Sequence, residues 1–198
     1  MLTIEDIRKS EGLDGIPNLV NRGVILDMKL FEAMKSDDLC NRYNNYDFDV
    51  HLKDFDRDLQ RPYVWEQWQK NEFIRNLLLE KPLERVVVVL HQTADGPNRM
   101  QVIDGKQRLL TIHKFLHSEF PITVGGKECR WDDFGERLGN FFRSRVNSIT
   151  ADIYFSDDIL PVTDRQKILL FNYCNFSGTP QTENHKKMLQ ELLLSKNK

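Results

Sequence analysis

The chain predicts an α+β domain, because stretches of strand and helix periodicity interleave along its 198 residues. The run Val86-Val87-Val88-Val89 has the β-branched composition of a strand buried within a sheet. Phe73, Ile74, Leu77 and Leu78 recur at helical spacing, as do Leu109, Leu110, Ile112, Phe115 and Leu116. Ile149, Ala151, Ile153 and Phe155 return to the alternation of a strand. Apolar residues make up 40% of the chain and charged residues 29%, a globular, soluble balance that excludes disordered, collagen-like and disulfide-scaffold architectures.

Taken in order, Thr3 and Asp6 form a capping-box pattern that opens a short helix to Ser10, which Gly12, Gly15 and Pro17 end. Residues 18–44 have weak periodicity, with one amphipathic helix expected from Asp27 to Met34 and no chemistry assigned. Phe48, Val50 and Leu52 alternate with polar residues in the acidic stretch Asp47 to Asp58, which predicts a strand with one wet face. Gln60-Arg61-Pro62-Tyr63-Val64-Trp65 leads into a helix reaching Glu80 that Pro82 terminates. Arg85 to Leu90 and Met100 to Ile103 are expected strands joined by the polar loop 93–98. Beyond Pro121 and Gly125-Gly126, Phe134, Leu138, Phe141 and Phe142 mark a helical stretch from Trp131 to Val146. Thr163 with Gln166 opens a helix to about Tyr173. A loop through Asn175-Phe176-Ser177-Gly178-Thr179-Pro180 then leads to a last helix bearing Met188, Leu189, Leu192 and Leu193.

With 28 basic against 30 acidic residues the formal charge is −2, so the chain has no bulk attraction for a phosphate backbone, and any nucleic-acid contact is local. The longest unbroken apolar run, Val86 to Leu90, falls far short of the roughly 18 residues of a membrane span. The acid-bearing start MLTIEDIRKSEG lacks the features of a signal peptide, and a cytoplasmic protein without membrane contact is expected. Cys40, Cys129 and Cys174 are odd in number and lack metal-site spacing, so they read as reduced core thiols. Asp54, Asp56 and Asp58 have the chemistry to ligate magnesium but fit a solvated strand edge and turn better. His113 and His117, four apart on a helix, fall near its apolar face and read as packing residues rather than zinc ligands, so no metal site is assigned.

The most informative segment is Asp104-Gly105-Lys106-Gln107-Arg108, between a strand and a helix. A strand that turns through glycine into a helix aims free backbone N–H groups and the positive end of the helix dipole at one spot, which favours an anion. Arg108 at the helix opening has a guanidinium suited to phosphate oxygens; its alternative is a structural salt bridge to Asp104 or Asp58. Gly105 offers close backbone approach with a positive φ; its alternative is simply a tight turn, and the two are compatible. An ionised Asp104 only accepts hydrogen bonds, so it suits Arg61, a ribose hydroxyl or a water, or else caps the helix. Gln107 either orients a water or phosphate oxygen through its amide or is an exposed first-turn side chain.

These residues together resemble the N-terminal domain of GmrSD-type restriction proteins, a family with a ParB-like (sulfiredoxin-like) fold and a signature close to DGQQR. The matching pieces are Gln60 to Trp65, Val102-Ile103-Asp104-Gly105-Lys106-Gln107-Arg108, Leu170-Phe171-Asn172 and Asn175-Phe176-Ser177-Gly178, in the family's order and spacing. The resemblance implies a ParB-like nucleotide-site core over residues 47–125, preceded by a helical or irregular extension, 1–46, and followed by a mainly helical part, 126–198, packed on the same domain. It places Gln60 and Arg61 beside the DGKQR turn, where a second arginine neutralises polyphosphate. Tyr63 and Trp65 then either stack on a base or fill core, with core favoured for Trp65, and Asn175 either reaches the pocket or caps a helix. Lys106 stands where the family usually has glutamine and adds a cation at the presumed phosphate site.

The function so implied is binding of a nucleoside triphosphate, with Mg²⁺ as accompanying cation and hydrolysis as an extension that uses Asp104, Gln107 and Arg108. Gln60, Arg61, Tyr63, Gly105, Lys106, Arg108 and Asn175 are the expected nucleotide-binding set. The family's HNH nuclease is expected to be missing, since His185 is the only histidine after residue 120. DNA contact is therefore expected to be weak or to run through a protein partner or nuclease subunit. One alternative is a stand-alone interaction or inhibitor protein acting on a defence enzyme or DNA-bound partner; a weaker one is a small DNA-nicking nuclease using the acids of 54–58.

Overall fold

The computed structural model describes residues 2–10, 15–26, 46–91, 99–155 and 162–175, together with the helical residues Lys187, Glu191 and Leu194. The expected helix at 27–34, the loop 93–98, Cys40, His185, the loop after Asn175, and the apolar residues that predict the last helix lie outside the described residues.

Helix α1, Ile4–Ser10, opens on the expected capping box: the Thr3 N–H donates to Asp6 Oδ2 at 2.8 Å, and the Asp6 N–H donates to Thr3 Oγ1 at 3.1 Å. Strand β1, Asn18–Ile25, was not legible in the periodicity. It is an edge strand with two register irregularities, and its apolar side chains Val20 and Ile25 are exposed, so no alternation survives. Gly23 sits in the second irregularity at φ +66° and donates its N–H to Asp152 Oδ1. Asn18–Ile25 thus belongs to the central sheet, although it falls in the segment expected as an extension.

The strand expected through Phe48 and Leu52 is broken into pieces, β2 (Tyr46–Asp47), β3 (His51–Leu52) and β4 (Arg57–Asp58). Phe48, Val50 and Leu52 are all buried as the alternation predicts, but Phe48 joins one core cluster while Val50 and Leu52 join the other. The chain therefore bends past the sheet edge, and β3 and β4 pair as a separate hairpin.

Helix α2, Gln67–Leu78, precedes β5 (Val86–His91) and β6 (Arg99–Asp104), which runs into α3, Lys106–Leu116. A hairpin of β7 (Ile122–Val124) and β8 (Lys127–Cys129) turns at Gly125-Gly126. A short 3₁₀ turn, Trp131–Asp133, leads to α4, Glu136–Val146; β9 is Thr150–Phe155 and α5 is Asp164–Asn175. The mixed five-stranded sheet has the order β1-β9-β5-β6-β2. Its β9–β5 and β6–β2 pairs are parallel and the other two antiparallel, which establishes the α+β class with five helices among the described residues.

Burial on both faces of this sheet explains the unbroken valine run. Val86, Val88, Val102, Ala151 and Ile153 face α2, α3 and α4, packing with Ile74, Leu77, Leu109, Ile112 and Phe142. Val89, Ile103 and Tyr154 point the other way, against Leu52, Leu59, Ile168 and Leu170 of the hairpin and α5. Phe115 ties α3 to α4 through ring contacts with Phe134 and Phe142, both at 5.4 Å.

A buried ion pair fastens the second layer. Lys167 Nζ lies 3.1 Å from Asp164 Oδ1, and Asp164 Oδ2 accepts the Asp54 backbone N–H at 2.9 Å, which joins α5 to the hairpin. Asp164→Ala should lower the unfolding free energy by about 3 kcal/mol in urea titration, since it strands a buried ammonium and a backbone donor. A loss below about 1 kcal/mol would show that this pair behaves as a solvated surface pair.

Candidate functional site

The β6–α3 junction favours a residue without a side chain. Gly105 has φ +103°, and a Cβ there would lie 3.0 Å from Val86 Cγ2 and 3.1 Å from Cγ1. The first helical bond of α3 runs from the Leu109 N–H to the Gly105 carbonyl, so the N–H groups of Lys106, Gln107 and Arg108 form the open positive end of the helix. The positive φ expected at Gly105 is present, and the group that its backbone approaches is the Val86 side chain.

The segment 60–65 is strapped over this junction by side chains. Gln107 Nε2 donates to the Pro62 carbonyl and its Oε1 accepts the Val64 N–H, each at 3.0 Å. Both ends of the Gln107 amide thus hold the strap, and each keeps a second hydrogen-bonding position. Gln60 Nε2 donates to the Ile103 carbonyl at 2.6 Å, while its Oε1 is buried with no partner among the described residues. The Tyr63 hydroxyl pairs with Thr111 Oγ1 at 2.9 Å, and its ring lies beside Lys70 and Lys114, away from the cleft lining. Burial raises the Tyr63 pKa.

The two cations of the turn, Lys106 and Arg108, are already neutralised. Arg108 donates to Asp104 Oδ2 and to the Glu84 carbonyl, each at 2.6 Å, and to the Arg85 carbonyl at 3.3 Å, so the structural salt bridge weighed against a phosphate role is formed. Lys106 Nζ turns to Asp49 Oδ1 at 2.6 Å and is nearly buried. Arg61, by contrast, is exposed at the cleft and makes no ion pair among the described residues.

These elements frame a cleft of about 430 Å³. Its floor is the turn from Asp104 to Arg108, one wall is the α2 face bearing Trp68, Glu72, Phe73 and Asn76, and α5 closes it with Phe171, Cys174 and Asn175. Gln60, Arg61, Gly105, Lys106, Arg108 and Asn175 of the expected binding set gather here, as do Asp104 and Gln107, while Tyr63 does not. Asn175 also caps its own helix, Nδ2 donating to the Phe171 carbonyl at 2.7 Å. Trp68, Glu72 and Asn76, absent from the expected set, share one helix face at i, i+4 and i+8.

Burial pushes the Cys174 thiol up to about 12, with the charges of Asp104 and Asp152 adding to the effect, which disfavours the thiolate. The His113 and His117 rings lie 4.3 Å apart between centres and are tilted by 38°, with His113 wholly buried on the core face of α3. Asp56 and Asp58 flank His51 at 3.6 Å and 3.1 Å, whereas Asp54 is tied by its backbone to Asp164. Among the described residues no group of three or more His, Cys, Asp or Glu could hold a metal ion.

The profile of the GmrSD restriction endonuclease N-terminal domain family matches residues 38–197 of this chain. No curated protein and no solved structure matches it.

Gly105→Ala should cost about 1–3 kcal/mol in chemical denaturation from the combined φ strain and the contact with Val86. Adding Val86→Ala should not restore wild-type stability, because the φ strain stays; full recovery would reduce Gly105 to a packing requirement. Cys174 should also be alkylated by iodoacetamide at pH 8 far more slowly in the folded chain than in urea, as peptide mapping would show, and equal rates would mean the thiol is not held neutral.

Proposed function

The chain belongs to the GmrSD restriction endonuclease N-terminal domain family, and from that premise we propose that its cleft binds a nucleoside triphosphate. The carrying observation is that the open N-terminus of α3, bared by Gly105, faces the same cleft as the exposed Arg61. Backbone N–H groups at such an end hold anionic oxygens without needing a further charged side chain.

The charges lining the cleft set the conditions for binding. Arg61, Lys106 and Arg108 are matched in number by Glu72, Glu84 and Asp104, and two of the three cations are paired internally. A triphosphate therefore enters a nearly neutral cleft and needs a counter-charge of its own. Mg²⁺ is commonly held by one or two carboxylates plus substrate phosphates, and the half-exposed Asp104 carboxylate supplies that kind of donor. Bound there, the ion would neutralise phosphate oxygens. Asp104 would have to share its carboxylate between that ion and Arg108, which makes it the residue that couples ligand binding to the β6–α3 junction.

Hydrolysis, in this reading, is phosphoryl transfer by positioning and electrostatics, with Asp104 the cleft carboxylate nearest the α3 terminus. Gln107 contributes by fixing the strap that carries Arg61, and Arg108 by fixing Asp104. The net charge of −2 supports engagement of DNA through a partner protein rather than by this chain alone.

Arg61→Ala should weaken triphosphate binding by about 1.5–3 kcal/mol in isothermal titration with an unchanged melting temperature, as loss of a charge-assisted contact predicts. Arg108→Ala should lower the melting temperature as well, because it leaves Asp104 and two backbone carbonyls without their donor. Asp104→Asn should keep the circular dichroism spectrum and reduce phosphate release; release at the wild-type rate would remove Asp104 from the chemistry. Wild-type binding by Arg61→Ala would contradict the site.

A further inference from the structure

We propose that Trp68 is the stacking platform for the base of the bound nucleotide, an inference that rests on the nucleotide reading and adds the recognition of its nucleoside end. Trp68 is 63% exposed, an unfavourable state for the largest apolar side chain, and it lines the same cleft as the α3 terminus. No ring contact involves it among the described residues, so its face is open to a ligand. The neighbouring Trp65 is different: it is half-buried and packs edge-on against Phe73 at 5.2 Å, so its ring is already committed to the protein.

The cleft is polarised in the way a nucleotide is. At the turn lie backbone N–H groups and Arg61, which suit phosphates. On α2, Trp68 is followed one turn later by Glu72, whose carboxylate repels phosphate and accepts hydrogen bonds from hydroxyl donors such as those of a ribose. Asn76, a further turn on, adds an amide with both donor and acceptor. A triphosphate at the turn therefore directs its nucleoside toward α2, where an aromatic face and a hydroxyl acceptor stand side by side. Stacking of this kind tolerates any base, since every base presents a π-face.

The test compares the full chain and two variants by isothermal titration with ATP, UTP and inorganic tripolyphosphate, each with Mg²⁺. Trp68→Ala should bind ATP and UTP roughly tenfold or more weakly and tripolyphosphate as the wild type does, while Trp68→Phe should retain most of the nucleotide affinity. Because Trp68 is largely exposed, all three proteins should melt alike. Nucleotide binding unaltered in Trp68→Ala would overturn this inference and leave the phosphate site standing; an equal loss of tripolyphosphate binding would overturn it too, by showing that Trp68 acts on phosphate binding and not on the base. Absence of binding of any of the three ligands to the wild type would overturn the nucleotide reading itself.

Discussion

The sheet and the cleft meet at one steric constraint, the contact between the Gly105 backbone and the Val86 side chain. Val86 is buried on the core face of β5, and the chain leaving β6 passes within van der Waals reach of its methyl groups. A residue without Cβ and at ease with φ +103° makes that passage without strain. The direction of α3 follows from it, and so does everything anchored to the first turn of α3. Gln107 leaves that turn to hold the backbone of Pro62 and Val64, Arg108 leaves it to hold Asp104 and the end of the 84–85 segment, and Lys106 leaves it to hold Asp49. A single glycine thus fixes the position of several separate stretches of chain.

That arrangement changes the electrostatic reading of the signature. Two cations at a helix N-terminus oppose the helix dipole, and each is offset here by its own carboxylate. Their charge is used within the fold, and what remains at the cleft is the peptide N–H groups and Arg61 set against the carboxylates of Glu72 and Glu84. The DGKQR segment is therefore a folding device whose helix end has no side-chain cap. Lys106 is suited to Asp49, the carboxylate across from it.

Much of this was legible because it is local. Thr3 with Asp6 and Thr163 with Gln166 announce their helices through spacing alone, and both capping boxes are formed. The valine run and the alternation of Ile149 to Ile153 follow from burial, which the sheet supplies on both faces. What failed to show is what depends on distant partners. Strand β1 owes its existence to β9, more than a hundred residues on, and its bulges erase the alternation. The acidic stretch alternates as a strand does, yet its apolar residues divide between two cores, a distinction that no single-segment pattern contains. The partners of Lys106, Gln107 and Arg108 lie in other segments, so sequence placed these residues in the cleft but left the direction of their side chains open. Trp68 went unread because an exposed tryptophan and a buried one look the same in a helical repeat.

The most direct test of the central claim follows backbone amides rather than side chains. In a ¹⁵N-labelled sample titrated with tripolyphosphate and Mg²⁺, the account predicts that the largest amide shifts fall on Gly105, Lys106, Gln107 and Arg108, with Arg61 perturbed beside them and the β3–β4 hairpin unchanged. Saturating shifts centred on the hairpin or on α4, with the first turn of α3 unmoved, would contradict it.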